Sequence, residues 1–333
     1  MKTSLLRKIR IIVSLLFFVP TTLVLIDFTE LIPESFVNSV LYFQFVPSFL
    51  KALVIFSISS TAFLLIIFLT VLFGRVYCSS ICPLGFLQDV INNISRRINK
   101  RKKRFEFLKE QKLLRWLFVA IAFIPFLFGI ILGINLLDPY SIYGRIAGNF
   151  IRPAAIWINN STASILESMN NYTLYAYHLK AFNTAPFIIT SLFLVLIVFL
   201  SYKKGRLYCN TVCPVGTIFG FISKYSLFRI VIREEDCLSC GKCARECKAS
   251  CINTEDKTVD MSRCISCFNC LTSCPTEGIK FEYAKPVIVN KTLEVDNSKR
   301  SFLISTGVYF ASLSTLLAQA KKQIVITKPS TIP

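Results

Sequence analysis

Histidine is almost absent from this chain, and that absence excludes a large class of membrane electron carriers. The sequence contains one histidine, His178. A haem b inside a membrane needs two axial ligands, commonly histidines, so a bis-histidine haem is excluded. The c-type attachment motif Cys-x2-Cys-His does not occur either, and we expect no haem. Gly-x-Gly-x-x-Gly and P-loop motifs are also missing, which leaves nucleotide-driven pumping without support.

Acidic residues are scarce. The chain has 19 Asp and Glu against 38 Lys and Arg, a net charge of +19, and 53% of its residues are hydrophobic. The charges come in blocks between uncharged runs, which is typical of a membrane protein. Because the basic blocks flank apolar runs, we expect them to face anionic lipid and not nucleic acid.

The uncharged runs predict a mainly α-helical membrane protein with four or five transmembrane helices. About 20 apolar residues cross the roughly 30 Å of hydrocarbon at 1.5 Å per residue. The four predicted spans are Ile11–Ile26, Ala52–Phe73, Trp116–Leu137 and Ala181–Tyr202. Phe36–Leu50 is shorter and contains Pro47, which predicts an interfacial or re-entrant segment.

The distribution of Lys and Arg predicts the orientation. The loop Arg75–Arg115 is rich in Lys and Arg and should be cytoplasmic, whereas Asp138–Lys180 is weakly charged and should be an outer loop. Lys203 and Lys204 then return the chain to the cytoplasm. The sequence therefore predicts a multi-pass protein of the cytoplasmic (inner) membrane, with its N-terminus and its cysteine-rich region on the cytoplasmic side.

The chain has 13 cysteines, and nine of them lie in a short stretch with the spacing of a bacterial two-cluster ferredoxin. The first run of this stretch is Cys-x2-Cys-x2-Cys-x3-Cys, and the second repeats it with a Pro after its last Cys. In such modules the fourth Cys of each run ligates the other cluster. The predicted ligand sets of the two [4Fe–4S] clusters are therefore Cys237, Cys240, Cys243 and Cys274 for cluster 1, and Cys264, Cys267, Cys270 and Cys247 for cluster 2.

Zinc knuckles are the competing interpretation, but zinc sites use separated Cys pairs more often than two triplets with a crossed fourth Cys. Two features depart from the ferredoxin pattern: Lys248 stands where Pro usually follows the fourth Cys, and Cys251 is a ninth cysteine. We expect Cys251 to be a small buried residue beside the cluster. Phe228–Ile232 and Ile279–Tyr283 are predicted to be strands that flank the module.

The other four cysteines lie in an internal repeat, in which Gly74-Arg-Val-Tyr-Cys-Ser-Ser-Ile-Cys-Pro-Leu-Gly85 matches Gly205-Arg-Leu-Tyr-Cys-Asn-Thr-Val-Cys-Pro-Val-Gly216. If the two halves pack by pseudo-symmetry, four thiolates converge. They would hold a third iron–sulfur cluster or a soft metal such as Cu(I), or act as redox dithiols; plain helix packing is the simplest alternative. The residues concerned are Cys78, Cys82, Cys209 and Cys213, with Arg75, Tyr77, Arg206 and Tyr208 as candidate hydrogen-bond donors.

Three regions follow from these patterns: a membrane bundle over residues 1–226, a small α+β ferredoxin-like domain over 227–284, and a linker with a further segment over 285–333. Ser298–Leu303 precedes an uncharged run and is similar to a twin-arginine export signal with Lys in place of the first Arg. A plain fifth span is the alternative.

The paired Gly-Arg-x-Tyr-Cys-x3-Cys-Pro motifs, the spans and the two-cluster module together resemble the NapH/NosR family of membrane ferredoxins. The resemblance covers about Met1 to Tyr283 and implies electron transfer between the quinone pool and a redox partner protein. A related branch, which includes CcoG-like proteins, implies the alternative of a cupric reductase or assembly factor that uses the four motif cysteines. A third hypothesis is a redox-sensing regulator or anchor without turnover. Nothing in the residues identifies a catalytic group.

Overall fold

The computed structural model describes residues 3–54, 61–98, 105, 107–178 and 184–283. These residues belong to one compact unit, Met1–Pro286, and the predicted tail signal lies outside them. The helices of the first half of the chain are α1 (Thr3–Ile26), α2 (Glu34–Tyr42), α3 (Phe45–Val54), α4 (Ala62–Phe73), α5 (Val76–Ser80) and α6 (Pro83–Ile98). Those of the second half are α7 (Lys112–Leu127), α8 (Leu132–Leu137), α9 (Pro139–Ile146), α10 (Arg152–Ser168), α11 (Thr184–Lys204), α12 (Leu207–Thr211) and α13 (Pro214–Ser223).

Two helices in the described part of the chain are long and apolar enough to cross a membrane. They are α1, over Ser4–Ile26, and α11, over Thr184–Lys204, which confirms two of the predicted spans. Helices α2 and α3 count as a third if they form one span, although they bend by 100° at their junction. That bend agrees with the broken or re-entrant segment predicted around Pro47. The predicted span Ala52–Phe73 falls partly on residues 55–60, outside the described residues.

The single span predicted over Trp116–Leu137 is wrong, because the chain turns back within it. Helix α7 contains Pro125, which lacks a backbone donor, and Gly129 then adopts φ +81°. Helix α8 packs beside α7 so closely that a Cβ on Gly133 would lie 3.0 Å from the carbonyl oxygen of Ile121. Hydrophobic length alone does not distinguish a straight span from such a hairpin.

The predicted outer loop Asp138–Lys180 is also largely helical. Asp138 caps α9, since its carboxylate accepts from the Ser141 amide at 2.8 Å, and Pro139 occupies the first helical position. Helix α9 continues through a π-helical turn, Ala147–Ile151, into α10. The weak hydrophobicity of this segment predicted a loop, but its helices pack against α1, α6 and α11.

The two halves repeat the same order of helices. Taken in order, α1, α2 and α3 of the first half correspond to α7, α8 and α9–α10 of the second, and α4, α5 and α6 correspond to α11, α12 and α13. The contacts repeat as well, because α4 packs on α13 and its counterpart α11 packs on α6. The Tyr77 hydroxyl accepts from the backbone N–H of Phe45 at the α2–α3 bend, and the Tyr208 hydroxyl donates to the carbonyl of Leu137 at the α8–α9 bend. Each motif tyrosine therefore ties its own half together at the corresponding place.

The cysteine-rich module follows α13. Strands β1 (Phe228–Ile232) and β4 (Ile279–Tyr283) pair antiparallel, which confirms both predicted strands. Between them lie α14 (Lys242–Glu246), the short pair β2 (Ile252–Asn253) and β3 (Thr258–Val259), and α15 (Asn269–Ser273). This module contacts the end of α4, where the Ser266 hydroxyl donates to the carbonyl of Phe73 at 3.0 Å.

Candidate metal centres

The four cysteines of the repeated motifs meet in one buried layer. Cys78 lies in α5 and Cys82 just after it, whereas Cys209 lies in α12 and Cys213 just after that helix; all four are buried. Each second cysteine precedes a proline that begins the next helix, α6 or α13, in the position where Pro is favoured. The pseudo-symmetry therefore brings together thiols that are more than 120 residues apart in the chain.

These thiols lie within electrostatic range of one another. Burial raises the pKa of the Cys82 thiol well above its ordinary value, and negative charge on Cys209 and Cys78 acts in the same direction. Burial does the same to the pKa of Cys213, and Cys209, Cys78 and Cys82 add to it. Because a thiol binds a metal as thiolate, metal binding at this layer would release protons.

Two buried arginines cross between the halves. Arg75 Nη2 donates to the carbonyl oxygen of Cys209 at 2.9 Å, and Arg206 Nη1 donates to that of Cys78 at 2.5 Å. Both side chains are almost fully excluded from solvent. Arg75 Nη2 also lies 4.0 Å from Cys78 Sγ. These contacts explain the Arg of each motif: its guanidinium donates to the backbone carbonyl of the first cysteine in the other half.

The motif glycines make room for these arginines. A Cβ on Gly85 would lie 2.4 Å from the carbonyl oxygen of Cys78 and 2.6 Å from Arg206 Nη1. A Cβ on Gly216 would lie 2.2 Å from the carbonyl oxygen of Cys209 and 2.8 Å from Arg75 Nη2. These distances are shorter than van der Waals contact, so any larger residue would clash at either position and both must be glycine.

The buried charges differ between the halves. Asp89 forms ion pairs with Arg206, Arg10 and Lys248 at 2.9, 2.7 and 3.2 Å. Burial alone would raise the pKa of Asp89, but Arg206, Lys248 and Arg10 outweigh burial and hold the pKa well below its ordinary value. Arg75, by contrast, forms no ion pair with any carboxylate among the described residues, and its Nε has no hydrogen-bond partner there.

A buried guanidinium without a carboxylate partner is costly. The described partners of Arg75 are neutral oxygens, of Asn210 and of three backbone carbonyls, and its Nη2 lies 4.0 Å from Cys78 Sγ in the thiol layer. Gln88 borders the same layer, where its Oε1 accepts from Cys209 Sγ at 3.4 Å. A negatively charged, thiolate-ligated group in this layer would give Arg75 the countercharge that it lacks. The all-thiol donor set is suited to iron–sulfur clusters or Cu(I).

Seven of the eight predicted ferredoxin ligands lie within electrostatic range of another one. Burial raises the pKa of Cys270 well above its ordinary value, with further contributions from Cys267, Cys247 and Cys264. These four are the predicted ligands of cluster 2. For cluster 1, burial raises the pKa of Cys243, and Cys274 and Cys237 contribute in the same direction. The fourth cysteine of each run therefore lies near the opposite triplet, and the complete ligand sets stay predictions.

The backbone of both Cys-x2-Cys loops fits a negatively charged cluster. Ser239 and Gly241 have φ of +50° and +67°, and Ser266 and Phe268 repeat this with +50° and +59°. Residues in left-handed conformations between right-handed ones turn successive N–H groups inward and form anion-binding nests, as at many iron–sulfur sites. Phe268, at the position equivalent to Gly241, adopts the left-handed conformation that non-glycine residues rarely adopt.

The two ferredoxin sites differ in exposure. Every cysteine of cluster 2 is buried, whereas Cys240 of cluster 1 is exposed and its other three are partly exposed. Leu238, next to Cys240, is 70% exposed. Site 2 therefore faces the helices, and site 1 faces away from them.

The four-cysteine layer and cluster 2 share a wall. Arg75 Nη1 donates to the carbonyl oxygens of Ser262 and Arg263 at 3.3 and 3.5 Å, and Cys264 follows them. Arg206 N donates to the carbonyl of Lys248, next to Cys247, at 2.9 Å. The Arg75 guanidinium therefore lies between Cys78 Sγ and Arg263, the residue before the predicted cluster 2 ligand Cys264.

Sequence reasoning missed part of this site. Lys248, noted only as a departure from Pro, is buried and reaches Asp89 across the module boundary. The role of Asp89 has one signal in the sequence: it is the one acidic residue between Glu34 and Glu106 and lies on an otherwise apolar or neutral face of its helix. Cys251 is buried as expected, with its Sγ 3.5 Å from Cys247 Sγ. No group of three His, Cys, Asp or Glu side chains in the described residues closes around a single metal ion.

A family model described as a 4Fe-4S binding domain matches residues 55–102 and 184–233. Both matches contain a Cys-x3-Cys-Pro motif. A candidate electron transport protein of Escherichia coli, YccM, is 25% identical over 77% of this chain and 65% of its own length. The ferredoxin-type protein NapH of Haemophilus influenzae is 23% identical over 66% of each chain, and the regulatory protein NosR of Pseudomonas aeruginosa is 24% identical over 60% of this chain and 24% of its own.

The chain is similar to the NapH/NosR-like ferredoxin-type proteins. The match to a 4Fe-4S binding domain and the similarity to electron transport proteins indicate an iron–sulfur protein of the electron-transfer class, with helices suited to a membrane. The chain spans just under two thirds of the length of YccM and about a quarter of NosR. No solved structure matches it.

Proposed function

We propose that this protein carries electrons between a membrane quinone and a redox partner protein, through three [4Fe–4S] clusters. The observation that carries the proposal is the stacking of three thiol groups on one another. Arg75 links the four motif cysteines to buried site 2, and the helices that carry Cys270 of site 2 and Cys243 of exposed site 1, α15 and α14, pack against each other. The order runs from the membrane helices to the surface.

Two observations support a third cluster in the motif layer. The 4Fe-4S family model matches the two motif segments and not the ferredoxin cysteines 237–274. In addition, Arg75 is a buried cation with no carboxylate partner among the described residues, and its Nη2 lies 4.0 Å from Cys78 Sγ. A bound [4Fe–4S] cluster would supply one-electron chemistry and the negative charge that Arg75 lacks. Cys78, Cys82, Cys209 and Cys213 would be its ligands.

Several centres suit quinone chemistry. Oxidation of one quinol breaks two O–H bonds and releases two protons and two electrons, and the reverse reaction consumes them. Since each cluster exchanges one electron at a time, the two electrons of a quinol leave in successive steps, and a chain of centres can carry both away. The two ends of the stack then have different roles: the buried end exchanges electrons with quinone, and site 1, beside exposed Leu238, exchanges them with the partner protein. We place site 1 on the cytoplasmic side, as the basic loops predict.

Redox titration of the full chain in lipid membranes tests this function. We expect a short-chain quinol or quinone to change the redox state of the clusters, followed by the iron–sulfur absorbance and EPR spectra. A soluble one-electron reductant and oxidant would show separately that the clusters are competent. Clusters that respond to the soluble reagents and never to quinol or quinone would contradict the proposal.

A further inference from the structure

A cavity of about 680 Å³ lies between the second-half helices and the ferredoxin module. Its walls come from α7, α8, α11 and α12, together with the segment Leu108–Gln111 and residues Ala249, Ser250 and Arg263 of the module. A volume of this size is typical of small-molecule sites. It lies in the second half, where α11 is one of the two long membrane-type helices.

The lining changes from apolar to polar along α11. Phe193, Leu196, Leu200 and Lys204 line the cavity and recur at helical spacing, so one face of α11 leads from its middle to its end. Leu196 is 40% exposed, which opens this wall to the surface that lipid would cover. An apolar ligand would therefore enter from the membrane.

The polar end holds two buried donors without partners. Arg263 Nη2 and Ser250 Oγ make no hydrogen bond within the described residues, although their side chains are almost fully buried. Both residues line this cavity. The other nitrogens of Arg263 are occupied, since Nε donates to Asp260 and Nη1 to the carbonyl of Leu108. Buried donors normally have partners, so these two indicate an acceptor that the protein does not supply.

The same end lies beside the proposed electron carriers. Arg263 precedes Cys264, and Ser250 follows Cys247 by three residues; both cysteines are predicted ligands of cluster 2. Asn210 lines the cavity and accepts from Arg75 Nη1 at 2.7 Å, the arginine that reaches Cys78 Sγ. A ring at this end would touch the walls of two thiol sites at once.

We propose that this cavity binds the head group of a lipid-soluble quinone, with Arg263 Nη2 and Ser250 Oγ donating to its carbonyl oxygens and its tail along α11. This assignment rests on the proposed function. A quinone ring carries acceptors and no donors, as the two orphaned groups require, and its tail matches the apolar wall. A phospholipid fits less well, because Arg263 offers its phosphate a single free nitrogen, and the other basic side chains of the lining, Lys109 and Lys204, lie at the exposed edge.

The test uses the full chain in lipid nanodiscs, with decylubiquinone and 2,3-dimethyl-1,4-naphthoquinone as probes. Reduced clusters are mixed with increasing quinone, and the concentration dependence of their oxidation gives an apparent Kd. Leu196→Trp fills the cavity and should weaken binding at least 10-fold. Ser250→Ala removes one donor and should weaken binding about 3- to 10-fold. Iron content and oxidation by ferricyanide should stay at wild-type values in both variants.

Matched controls exist for both changes. Leu65 occupies the position in α4 that Leu196 occupies in α11 and is similarly exposed, at 46%, but does not line the cavity. Ser226 is a buried serine whose hydroxyl also lacks a partner among the described residues, and it lies away from the cavity. Leu65→Trp and Ser226→Ala should bind quinone as wild type does.

The outcomes separate the two proposals. If wild type reacts with quinone and both cavity variants react equally well, the function stands and the site is wrong. If wild type fails to react with quinone but reacts with ferricyanide, the function itself fails. A phospholipid that co-purifies in the cavity and is not displaced by either quinone would also overturn the site.

Discussion

Arg75 donates to the carbonyl oxygen of Cys209, a residue 134 positions later in the chain and in the opposite half. Arg206 makes the equivalent contact in the other direction, because it donates to the carbonyl oxygen of Cys78. The motif arginine of each half is therefore bound to the other half. The consequence is that neither half can form the cysteine layer alone. Each supplies two thiols and a cation to the partner half.

Metal content is the first prediction. The full chain should contain about 12 irons and 12 acid-labile sulfides if all three sites are filled, since each cubane holds four. Cys209→Ala should reduce both counts to about eight. Iron and sulfide analysis with EPR checks this, and Cys251→Ala, which changes a buried cysteine outside the predicted sets, should leave both counts unchanged. Eight irons in the wild type, or copper in the layer, would contradict the third cluster.

The second prediction concerns Arg75. Its guanidinium is a buried positive charge near Cys78 Sγ, so Arg75→Gln should lower the reduction potential of the centre in the motif layer. A unit charge about 5 Å away at an effective dielectric of about 20 corresponds to a shift of roughly 140 mV for a one-electron centre. EPR-monitored potentiometry measures it. Arg229→Gln, in β1, is the control and should leave this potential in place; an unchanged potential in Arg75→Gln would mean that no charged centre lies there.

Third, Asp89 should contribute strongly to stability. It pairs with three buried cations, and Asp89→Asn would leave their charges uncompensated. Breaking one partner of a buried ion network costs about 3–5 kcal/mol. Thermal unfolding in detergent should show a large loss, whereas Asp236→Asn, at an exposed position, should change stability by less than about 0.5 kcal/mol. Similar unfolding curves for the two variants would refute the network's role.

The fourth prediction concerns the motif glycines. Gly85→Ala and Gly216→Ala place a Cβ against the carbonyl of a layer cysteine and the opposite arginine, so both should be destabilised by about 1–3 kcal/mol or more and lose iron from the layer. Gly148→Ala, whose Cβ would meet nothing within 4 Å, is the matched control and should keep both. Iron analysis beside thermal unfolding checks the three variants. Full iron in Gly85→Ala and Gly216→Ala would show that the close packing is not required.

The sequence by itself determined the local chemistry. The spacing of the ferredoxin cysteines predicted two crossed groups, because the ligands of each triplet lie on one loop and only the fourth must come from elsewhere. The repeated motif likewise predicted a pseudo-symmetric arrangement. Strands β1 and β4 and the helices α1 and α11 also followed from local patterns of hydrophobicity.

Only the tertiary structure decided how these parts meet. The hairpin of α7 and α8 depends on packing at Gly133, which a hydrophobic run does not encode. The role of Asp89 depends on three cations from distant parts of the chain, and that of Lys248 on its reach across the module boundary. The crossing of Arg75 and Arg206 is of the same kind. Such contacts join residues far apart in sequence, so their energies depend on the packing of whole helices, which local spacing and composition do not specify.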